Sequence, residues 1–273
     1  MTQRHAIFLD FDGTYADRGI APAGHVEAVR AARAAGNMVL LCTGRPMSML
    51  PDHILAAGFD GIVAAAGGYV EVDGEVLLDT RFPADLAATV LRVLDAHDVG
   101  YILAAPEAVH GLPGVDERLR AAFAGHFTPG QDGGLADIIA NLRTSEDLSG
   151  VSFGQVTLFD SPVPVTALAE EIGDGVGALP SSVQAMGDSV GEIYLLGVHK
   201  AGGMEVVAER FGLERQQLVA FGDGLNDLEM LEHAGVSVAI EGSPPELLAV
   251  AHHVAAGPEE EGLAAAFAAL GLT

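Results

Sequence analysis

The sequence predicts an α/β protein built on a doubly wound parallel sheet, with a second α/β domain inserted into it. Short apolar runs recur along the 273 residues, and most are followed by a polar loop and then a helical pattern. Such runs are typical of strands buried on both faces of a parallel sheet. Repeated strand, loop and helix units indicate a doubly wound fold, in which ligands bind at the carboxyl ends of the strands.

The first apolar run covers residues 6–9 and ends in two carboxylates, Asp10 and Asp12, with Gly13 supplying a turn. Because the chain leaves the strand here, we expect both carboxylates to reach the same pocket. Two carboxylates held close together repel each other unless a cation neutralises them or one keeps its proton. Both arrangements are useful for chemistry on phosphate. The simpler interpretation of the same residues is a strand followed by an acidic turn with no catalytic role.

A second buried strand is predicted over residues 38–42, and it ends at Thr43, Gly44 and Arg45. Pro46 favours the first position of a helix, so this loop is expected to present free backbone N–H groups to a ligand. Two interpretations of the arginine remain open. It reaches a phosphate or the body of a substrate, or it is an exposed residue at the start of the helix.

The middle of the chain has a different character. From about residue 83 to about residue 187 strands and helices continue to alternate, with a loop-rich passage over 128–134, but no strand end carries a carboxylate cluster. This segment has the size of an independent domain. We therefore assign residues 83–187 to an inserted α/β cap, and residues 1–82 and 188–273 to the core.

The final third returns to the pattern of the core. A strand over residues 193–198 leads to Lys200 at the start of a helix, and a strand over residues 218–221 leads to Asp223 and Asp227. Taken alone, these two aspartates are either ligands of a cation or caps of the following helix.

Composition limits the partners and the compartment. The 38 acidic and 13 basic residues give a formal charge of −25, which argues against nucleic acid and anionic membranes as partners. A phosphate site would have to be built locally, from a metal ion, backbone N–H groups and a few cations. The single cysteine, Cys42, suits a reducing compartment, and no apolar segment is long enough for a membrane span. We expect a cytoplasmic protein; its oligomeric state is left open.

Four motifs in this order resemble the haloacid dehalogenase superfamily, specifically Cof-type phosphatases that carry a C2-type α/β cap. They are Asp-Phe-Asp-Gly-Thr at residues 10–14, Thr-Gly-Arg-Pro at 43–46, Lys-x-x-Gly at 200–203 and Gly-Asp-Gly-Leu-Asn-Asp at 222–227. The match extends over the whole chain and implies a Rossmann-like core. The chain departs from the family pattern at Gly67-Gly68, where Asn-Gly is usual.

The resemblance implies a role for each residue of these motifs. Asp10 would be the nucleophile that forms an aspartyl-phosphate, and Asp12 the acid/base residue. Mg²⁺ would be held by Asp10, the backbone carbonyl of Asp12 and Asp223, with Asp227 binding it directly or supporting it. The substrate phosphate would contact the remaining residues: Thr43, Gly44, Arg45, Lys200 and Asn226.

The resemblance therefore implies a Mg²⁺-dependent phosphatase acting on a small phosphorylated metabolite, such as a sugar or polyol phosphate. Two other functions fit the same residues. One is a phosphotransferase similar to the phosphomannomutases, and the other is a catalytically idle regulator that binds a sugar phosphate. The intact set of Asp10, Asp12, Lys200 and Asp223 argues against the idle protein.

Overall fold

The computed structural model describes residues 4–17, 19–50, 52–55, 57–124, 135–180 and 184–273; the loop predicted over 128–134 lies outside them. The strands are β1 (Ala6–Asp10), β2 (Met38–Cys42), β3 (Gly61–Ala64), β4 (Tyr69–Val72), β5 (Glu75–Asp79), β6 (Gly100–Ala105), β7 (Ala108–Gly111), β8 (Leu142–Thr144), β9 (Gln155–Asp160), β10 (Val176–Pro180), β11 (Gly191–Leu195), β12 (Leu218–Gly222), β13 (Val236–Ile240) and β14 (His253–Ala255). The helices are α1 (Ala23–Ala34), α2 (Asp52–Leu55), α3 (Ala84–Ala96), α4 (Val115–Phe123), α5 (Leu135–Ala140), α6 (Val165–Ile172), α7 (Lys200–Phe211), α8 (Leu228–His233), α9 (Pro245–Val250) and α10 (Gly262–Ala269).

The chain forms two compact units. The first comprises Met1–Arg45, Leu50–Asp79 and His199–Thr273, and the second comprises Pro46–Met49 and Thr80–Val198. Each unit has its own sheet and its own buried apolar clusters. Among the described residues, every helix is too short or too polar to cross a lipid bilayer.

The sheet of the first unit has the strand order β14-β13-β12-β1-β2-β3-β4-β5. The strands from β14 to β3 are parallel to one another, and β4 and β5 extend this sheet as an antiparallel hairpin. All five residues of β1, β2 and β12 are buried, as expected for strands covered on both faces. The predicted doubly wound core is therefore confirmed.

Helices cover both faces of this sheet. On one face, Phe8 and Leu40 lie in a buried cluster with residues of α7, α8 and α9, such as Met204 and Leu231. On the other face, α1 packs against α10, and the ring of Phe221 in β12 meets the ring of Phe267 in α10 at 5.3 Å between centroids. The central strands are packed on both faces, and they position the residues at their carboxyl ends.

The sheet of the second unit has the order β10-β11-β9-β6-β7-β8, and within the described residues only β7 and β8 pair in parallel. Alternate residues of β6 point to opposite faces. Tyr101 and Leu103 join a cluster with α3 and α6, whereas Ile102 and Ala104 join a cluster with α4 and α5. The unit is thus an α/β domain with an independent core.

Two local expectations were wrong. The strand predicted over 193–198 and assigned to the core is β11, which pairs with β9 and β10 in the other sheet, so residues 188–198 belong to the second unit. The helix predicted after Pro46 is only a 3₁₀ turn at Met47–Met49. A second proline at position 51 disfavours helical geometry in the residue before it, which leaves no room for a longer helix.

Candidate active site

The predicted site residues of three of the four motifs lie at or just after the carboxyl ends of three adjacent strands in the first unit. Asp10 is the last residue of β1 and pairs in register with Cys42 of β2, so Thr43 follows immediately on the neighbouring strand. Asp223 follows Gly222, the last residue of β12, on the other side of β1. The polar residues of three motifs that are distant in sequence therefore meet at one edge of the sheet.

Lys200 lies at the centre of this arrangement. It is the first residue of α7, and its Nζ donates to Oδ1 of Asp10 at 2.5 Å and to Oδ1 of Asp227 at 2.6 Å. The lysine is only 1% exposed, and Asp10 and Asp227 are 5% and 0% exposed. Charges are rarely buried this deeply unless they are paired, and their desolvation is costly even then.

Asp227 uses both of its oxygens within the protein. Oδ1 accepts from Lys200, and Oδ2 accepts from the backbone N–H groups of Asp223 and Gly224, each at 3.0 Å. These bonds shape the loop that carries Asp223. Thr14, which sequence reasoning did not assign, donates its hydroxyl to Oδ1 of Asp223 at 3.1 Å. The feature of the sequence that could have identified Thr14 is its position directly after the Asp-x-Asp-Gly motif.

The close approach of these carboxylates changes their acidity. Burial raises the pKa of Asp10 well above its usual value; the charges of Asp227 and Asp223 raise it further, and Lys200 opposes them. Burial and the Asp227 charge also raise the pKa of Asp223. Although burial alone lowers the pKa of Lys200, the two carboxylates it contacts raise it above its usual range. The three carboxylates and one ammonium leave excess negative charge.

The cluster suits a divalent cation. Asp10, Asp223 and Asp227 each offer one oxygen, and these atoms lie within 4.8 Å of one another. Carboxylate oxygens are the ligands that Mg²⁺ prefers, and one or two of them with substrate and water suffice. A cation would also neutralise the excess charge. The residues present therefore fit a magnesium ion.

Gly13 allows the first loop to approach the metal-ligand candidates. Its φ is +90°, in the region that favours glycine, and a β-carbon there would collide with the carboxylate of Asp223. A side chain at this position would push the loop after β12, which carries Asp223, away from the loop after β1. The glycine is needed for both backbone geometry and space.

Thr43, Gly44 and Asn226 form a second group. Thr43 is buried, and its Oγ1 accepts from the backbone N–H of Arg45 at 3.1 Å, so the hydroxyl proton can be donated elsewhere. The side-chain nitrogen of Asn226 lies 4.0 Å from the position that a β-carbon would take at Gly44. These donors can therefore serve one anion.

Asp12 and Arg45 pair with each other. The guanidinium donates from Nε to Oδ2 of Asp12 at 2.7 Å and from Nη2 to Oδ1 at 2.8 Å. Among the described residues, the side chain of Asp12 is not part of the acidic cluster. Of the two interpretations that the sequence left open for Arg45, neither anticipated this contact.

A turn that follows β3 supports the loop at Thr43. The backbone N–H of Ala65 donates to the carbonyl of Arg45 at 2.9 Å, and that of Ala66 donates to the carbonyl of Thr43 at 3.0 Å. Both alanines have positive φ, near 50°, which is strained for residues other than glycine. Next to them, a β-carbon at Gly67 would collide with the carbonyl of His199, just before Lys200. Sequence reasoning missed this turn because alanine carries no chemical signal.

Two other polar residues have structural positions. Nδ1 of His252 accepts from the backbone N–H of Ser237 at 3.1 Å, linking β13 to the segment before β14. Cys42 lies in the apolar cluster of the first unit, and burial raises the pKa of its thiol far above the usual range. Neither geometry indicates a reactive group.

The whole pattern matches a known family. The family described as haloacid dehalogenase-like hydrolase matches residues 7–267, and the chain belongs to it. This match confirms the resemblance to Cof-type enzymes of the haloacid dehalogenase superfamily and, with the phosphatase relatives described next, the predicted class of enzyme, a phosphoric monoester hydrolase.

Three similar proteins illustrate the family. A putative bifunctional phosphatase/peptidyl-prolyl cis-trans isomerase of Streptococcus pyogenes is 27% identical over 97% of this chain, which spans about half (54%) of that protein. The 5-amino-6-(5-phospho-D-ribitylamino)uracil phosphatase of Escherichia coli is 29% identical over 74% of this chain and 70% of its own. The solved structure of a subclass IIB sugar phosphatase superposes with a TM-score of 0.76, at 22% identity over 98% of this chain and 100% of that chain, and this likeness shows the fold.

Proposed function

We propose that this protein is a Mg²⁺-dependent phosphatase that hydrolyses a small phosphorylated metabolite through an aspartyl-phosphate on Asp10. The observation that carries the proposal is the buried contact of Lys200 with Asp10 and Asp227 beside Asp223. Folding a lysine and three carboxylates into a nearly closed cluster is costly, and such clusters are typical of functional sites.

The proposed reaction has two steps. An oxygen of the Asp10 carboxylate attacks phosphorus, the bond from phosphorus to the ester oxygen breaks, and Asp12 gives a proton to the departing alkoxide. Water then attacks the phosphorus of the aspartyl-phosphate, Asp12 takes a proton from that water, and inorganic phosphate and the Asp10 carboxylate are released. Lys200, Thr43, Gly44 and Asn226 would hold the phosphoryl oxygens: Lys200 by charge, and the others by hydrogen bonds.

For the cation we propose a carboxylate oxygen of Asp10, the backbone carbonyl of Asp12 and a carboxylate oxygen of Asp223 as ligands. Asp227 would support the site without binding the ion, since its two oxygens already accept from Lys200 and two backbone N–H groups. When bound, Mg²⁺ would draw charge from the phosphoryl oxygens and allow an anionic substrate to approach an anionic nucleophile.

The second unit, which corresponds to the inserted cap proposed over residues 83–187, is our candidate for choosing the substrate. Gln155 and Thr157 of β9 pair directly with Tyr194 and Glu192 of β11, so these four polar side chains share one face of the sheet. Nε2 of Gln155 donates to Oε2 of Glu192 at 2.6 Å. A polar face of this kind suits hydroxyl groups, which supports a sugar or polyol phosphate. The names of two similar proteins, a 5-amino-6-(5-phospho-D-ribitylamino)uracil phosphatase and a sugar phosphatase, agree with it.

Hydrolysis of para-nitrophenyl phosphate by the purified protein, with and without Mg²⁺, tests the reaction. We expect Mg²⁺-dependent release of inorganic phosphate. An added alcohol that captures the phosphoryl group in most turnovers would instead favour a phosphotransferase, and binding of phosphate esters without turnover would favour a regulator. A cytoplasmic location remains part of the proposal, and fractionation of the source cells tests it.

A panel of phosphorylated metabolites tests the substrate class. We expect the highest kcat/KM among sugar and polyol phosphates, and we expect Glu192→Gln to change the ranking of substrates. Glu171→Gln is the matched control, because Glu171 pairs with His97 on the surface of the same unit. A ranking that is unchanged in the Glu192 variant would contradict selection by this face.

A further inference from the structure

The arginine of the Thr-Gly-Arg-Pro motif is held from several sides. Its guanidinium forms two parallel hydrogen bonds to Asp12, and its Cζ lies 5.0 Å above the centroid of the Phe11 ring, which is fully buried. Its backbone N–H donates to Oγ1 of Thr43, and its carbonyl accepts from Ala65. Both ends of Arg45 are therefore anchored.

Asp12, the other member of this pair, is more exposed to solvent than Arg45. Asp12 follows the end of β1, next to Gly13, and its side chain is 46% exposed, against 24% for that of Arg45. Exposed ion pairs are usually weak, but a bidentate geometry over an aromatic ring fixes the orientation of the carboxylate. The carboxylate is thus oriented by Arg45.

This arrangement assigns the arginine a different task from phosphate binding. Of the five N–H donors of the guanidinium, Nε–H and one N–H of Nη2 form one edge, and that edge is used for Asp12. A phosphate bound by the same edge would break the pair. A residue that binds the carboxylate of a proton carrier controls where the proton can be delivered. The effect of Arg45 on the reaction would then pass through Asp12.

We propose that Arg45 is a positioning residue that acts through Asp12. It holds the ionised Asp12 at the rim of the site. Once Asp12 has taken a proton from the attacking water, its protonated oxygen leaves the hydrogen bond with Arg45 and, from the same position, gives that proton to the next leaving group. This inference rests on the proposed function, in which Asp12 transfers the proton. It differs from the role that the family resemblance implied for Arg45, a contact with the substrate phosphate.

A double-mutant cycle tests the inference. kcat and KM are measured for the wild type, Arg45→Ala, Asp12→Ala and the double variant, with an alkyl phosphate that needs protonation of its leaving group. We expect Arg45→Ala to lower kcat by at least about tenfold with little change in KM, and Asp12→Ala by about 10²–10⁴-fold. The double variant should lie within about threefold of Asp12→Ala, because Arg45 has nothing left to position.

Additional variants separate positioning from stability. Arg45→Met keeps an aliphatic stem over Phe11 and should lose as much kcat as the alanine variant, whereas Arg45→Lys should restore part of it. With para-nitrophenyl phosphate, whose leaving group needs little protonation, the loss in Arg45→Ala should shrink. Arg33→Ala is the matched control, because Arg33 binds Asp60 through the same two nitrogens outside the site; its kcat should equal that of the wild type.

The outcomes distinguish this inference from the proposed function. Multiplicative losses in the double variant, or a rise in KM with unchanged kcat in Arg45→Ala, would show that Arg45 binds the substrate itself and would overturn the inference while the phosphatase stands. Unchanged kcat in Asp12→Ala would overturn the acid/base role of Asp12, and the inference with it. Equal losses for the two leaving groups in Arg45→Ala would also overturn positioning.

Discussion

Two regions of the molecule place one cation between two aspartates, and they differ in burial. In the first unit, Lys200 contacts Asp10 and Asp227, and all three residues are nearly inaccessible to solvent. In the second unit, Arg118 contacts Asp98 and Asp160, and its side chain is 35% exposed. Each cation and the two carboxylates that it contacts carry the same charges in both regions.

The comparison shows that burial, more than pairing, distinguishes a candidate site from an ordinary surface network. An exposed ion pair contributes about 0–1 kcal/mol and costs little to form. A buried group of charges carries a desolvation cost that its attractions only partly offset, so apolar residues would serve stability better. We infer that the Lys200 cluster is kept for its chemistry.

The largest effect is expected for Asp10→Asn. An amide cannot form an acyl-phosphate at a useful rate, so turnover should vanish, while loss of one negative charge from the cluster should leave the melting temperature unchanged or raise it. Asp98→Asn, which alters the surface network, should retain the kcat of the wild type. Turnover near the wild-type rate in Asp10→Asn, in protein shown by mass spectrometry to be free of deamidation, would contradict the proposed nucleophile.

Exchanging lysine for arginine in one region and arginine for lysine in the other tests the comparison further. The chain contains one lysine among 13 basic residues, and that lysine is Lys200. A compact ammonium fits between two carboxylates, whereas the wider guanidinium fork requires other geometry. Lys200→Arg should lower kcat/KM by at least about tenfold, or roughly 1.4 kcal/mol, and Lys200→Ala by more.

The opposite exchange, Arg118→Lys, should leave kcat/KM and the melting temperature close to those of the wild type. Both parameters are measured for each variant. Near-normal kcat/KM in Lys200→Arg would indicate that the lysine plays no part in phosphate binding. Loss of activity at an unchanged melting temperature would support its contact with the phosphate and the nucleophile.

Two histidines also differ in burial, and we expect a smaller effect from this difference. His25 is fully buried; its Nδ1 donates to the carbonyl of Tyr15 at 2.9 Å, and its Nε2 accepts from the backbone N–H of Leu263 at 3.3 Å. Burial lowers the pKa of His25, against smaller opposing effects of Tyr15 and Glu261. His97, by comparison, pairs with Glu171 at the surface.

The lowered pKa of His25 makes stability depend on pH. Below about pH 6.5 the unfolded chain binds a proton at this histidine that the folded chain resists, so the free energy of unfolding falls as the pH decreases through that value. Urea unfolding at pH 7.5 and 5.5 should show a fall in the free energy of unfolding of the wild type, and this fall should be smaller in His25→Gln. Identical falls in the wild type and His25→Gln would contradict the assignment.

The sequence predicted the elements that local patterns define. β1, β2 and β12 are short apolar runs that end in polar loops, and α7 begins at the predicted Lys200. Their residues meet at one edge because parallel strands of a doubly wound sheet align their carboxyl ends. The acidic cluster of Asp10, Asp223 and Asp227 follows from this topology.

Features that depend on a distant partner could not be predicted. The apolar run of β11 looks like a core strand, yet it pairs in an antiparallel ladder with β9 in the second sheet, and strand pairing is not encoded locally. The partner of Arg45 depends on the side-chain rotamer of Asp12. The positive φ of Ala65 and Ala66 is imposed by the loops they contact.

The most direct test of the central claim is chemical trapping of the phosphoenzyme. The protein is mixed with substrate and Mg²⁺, quenched in acid within a single turnover, digested and examined by mass spectrometry. We expect a mass increase of one phosphoryl group on Asp10 that is labile to hydroxylamine, as an acyl-phosphate is, and absent in Asp10→Asn. Rapid hydrolysis with no phosphoryl group on Asp10, or with the label on another residue, would contradict it.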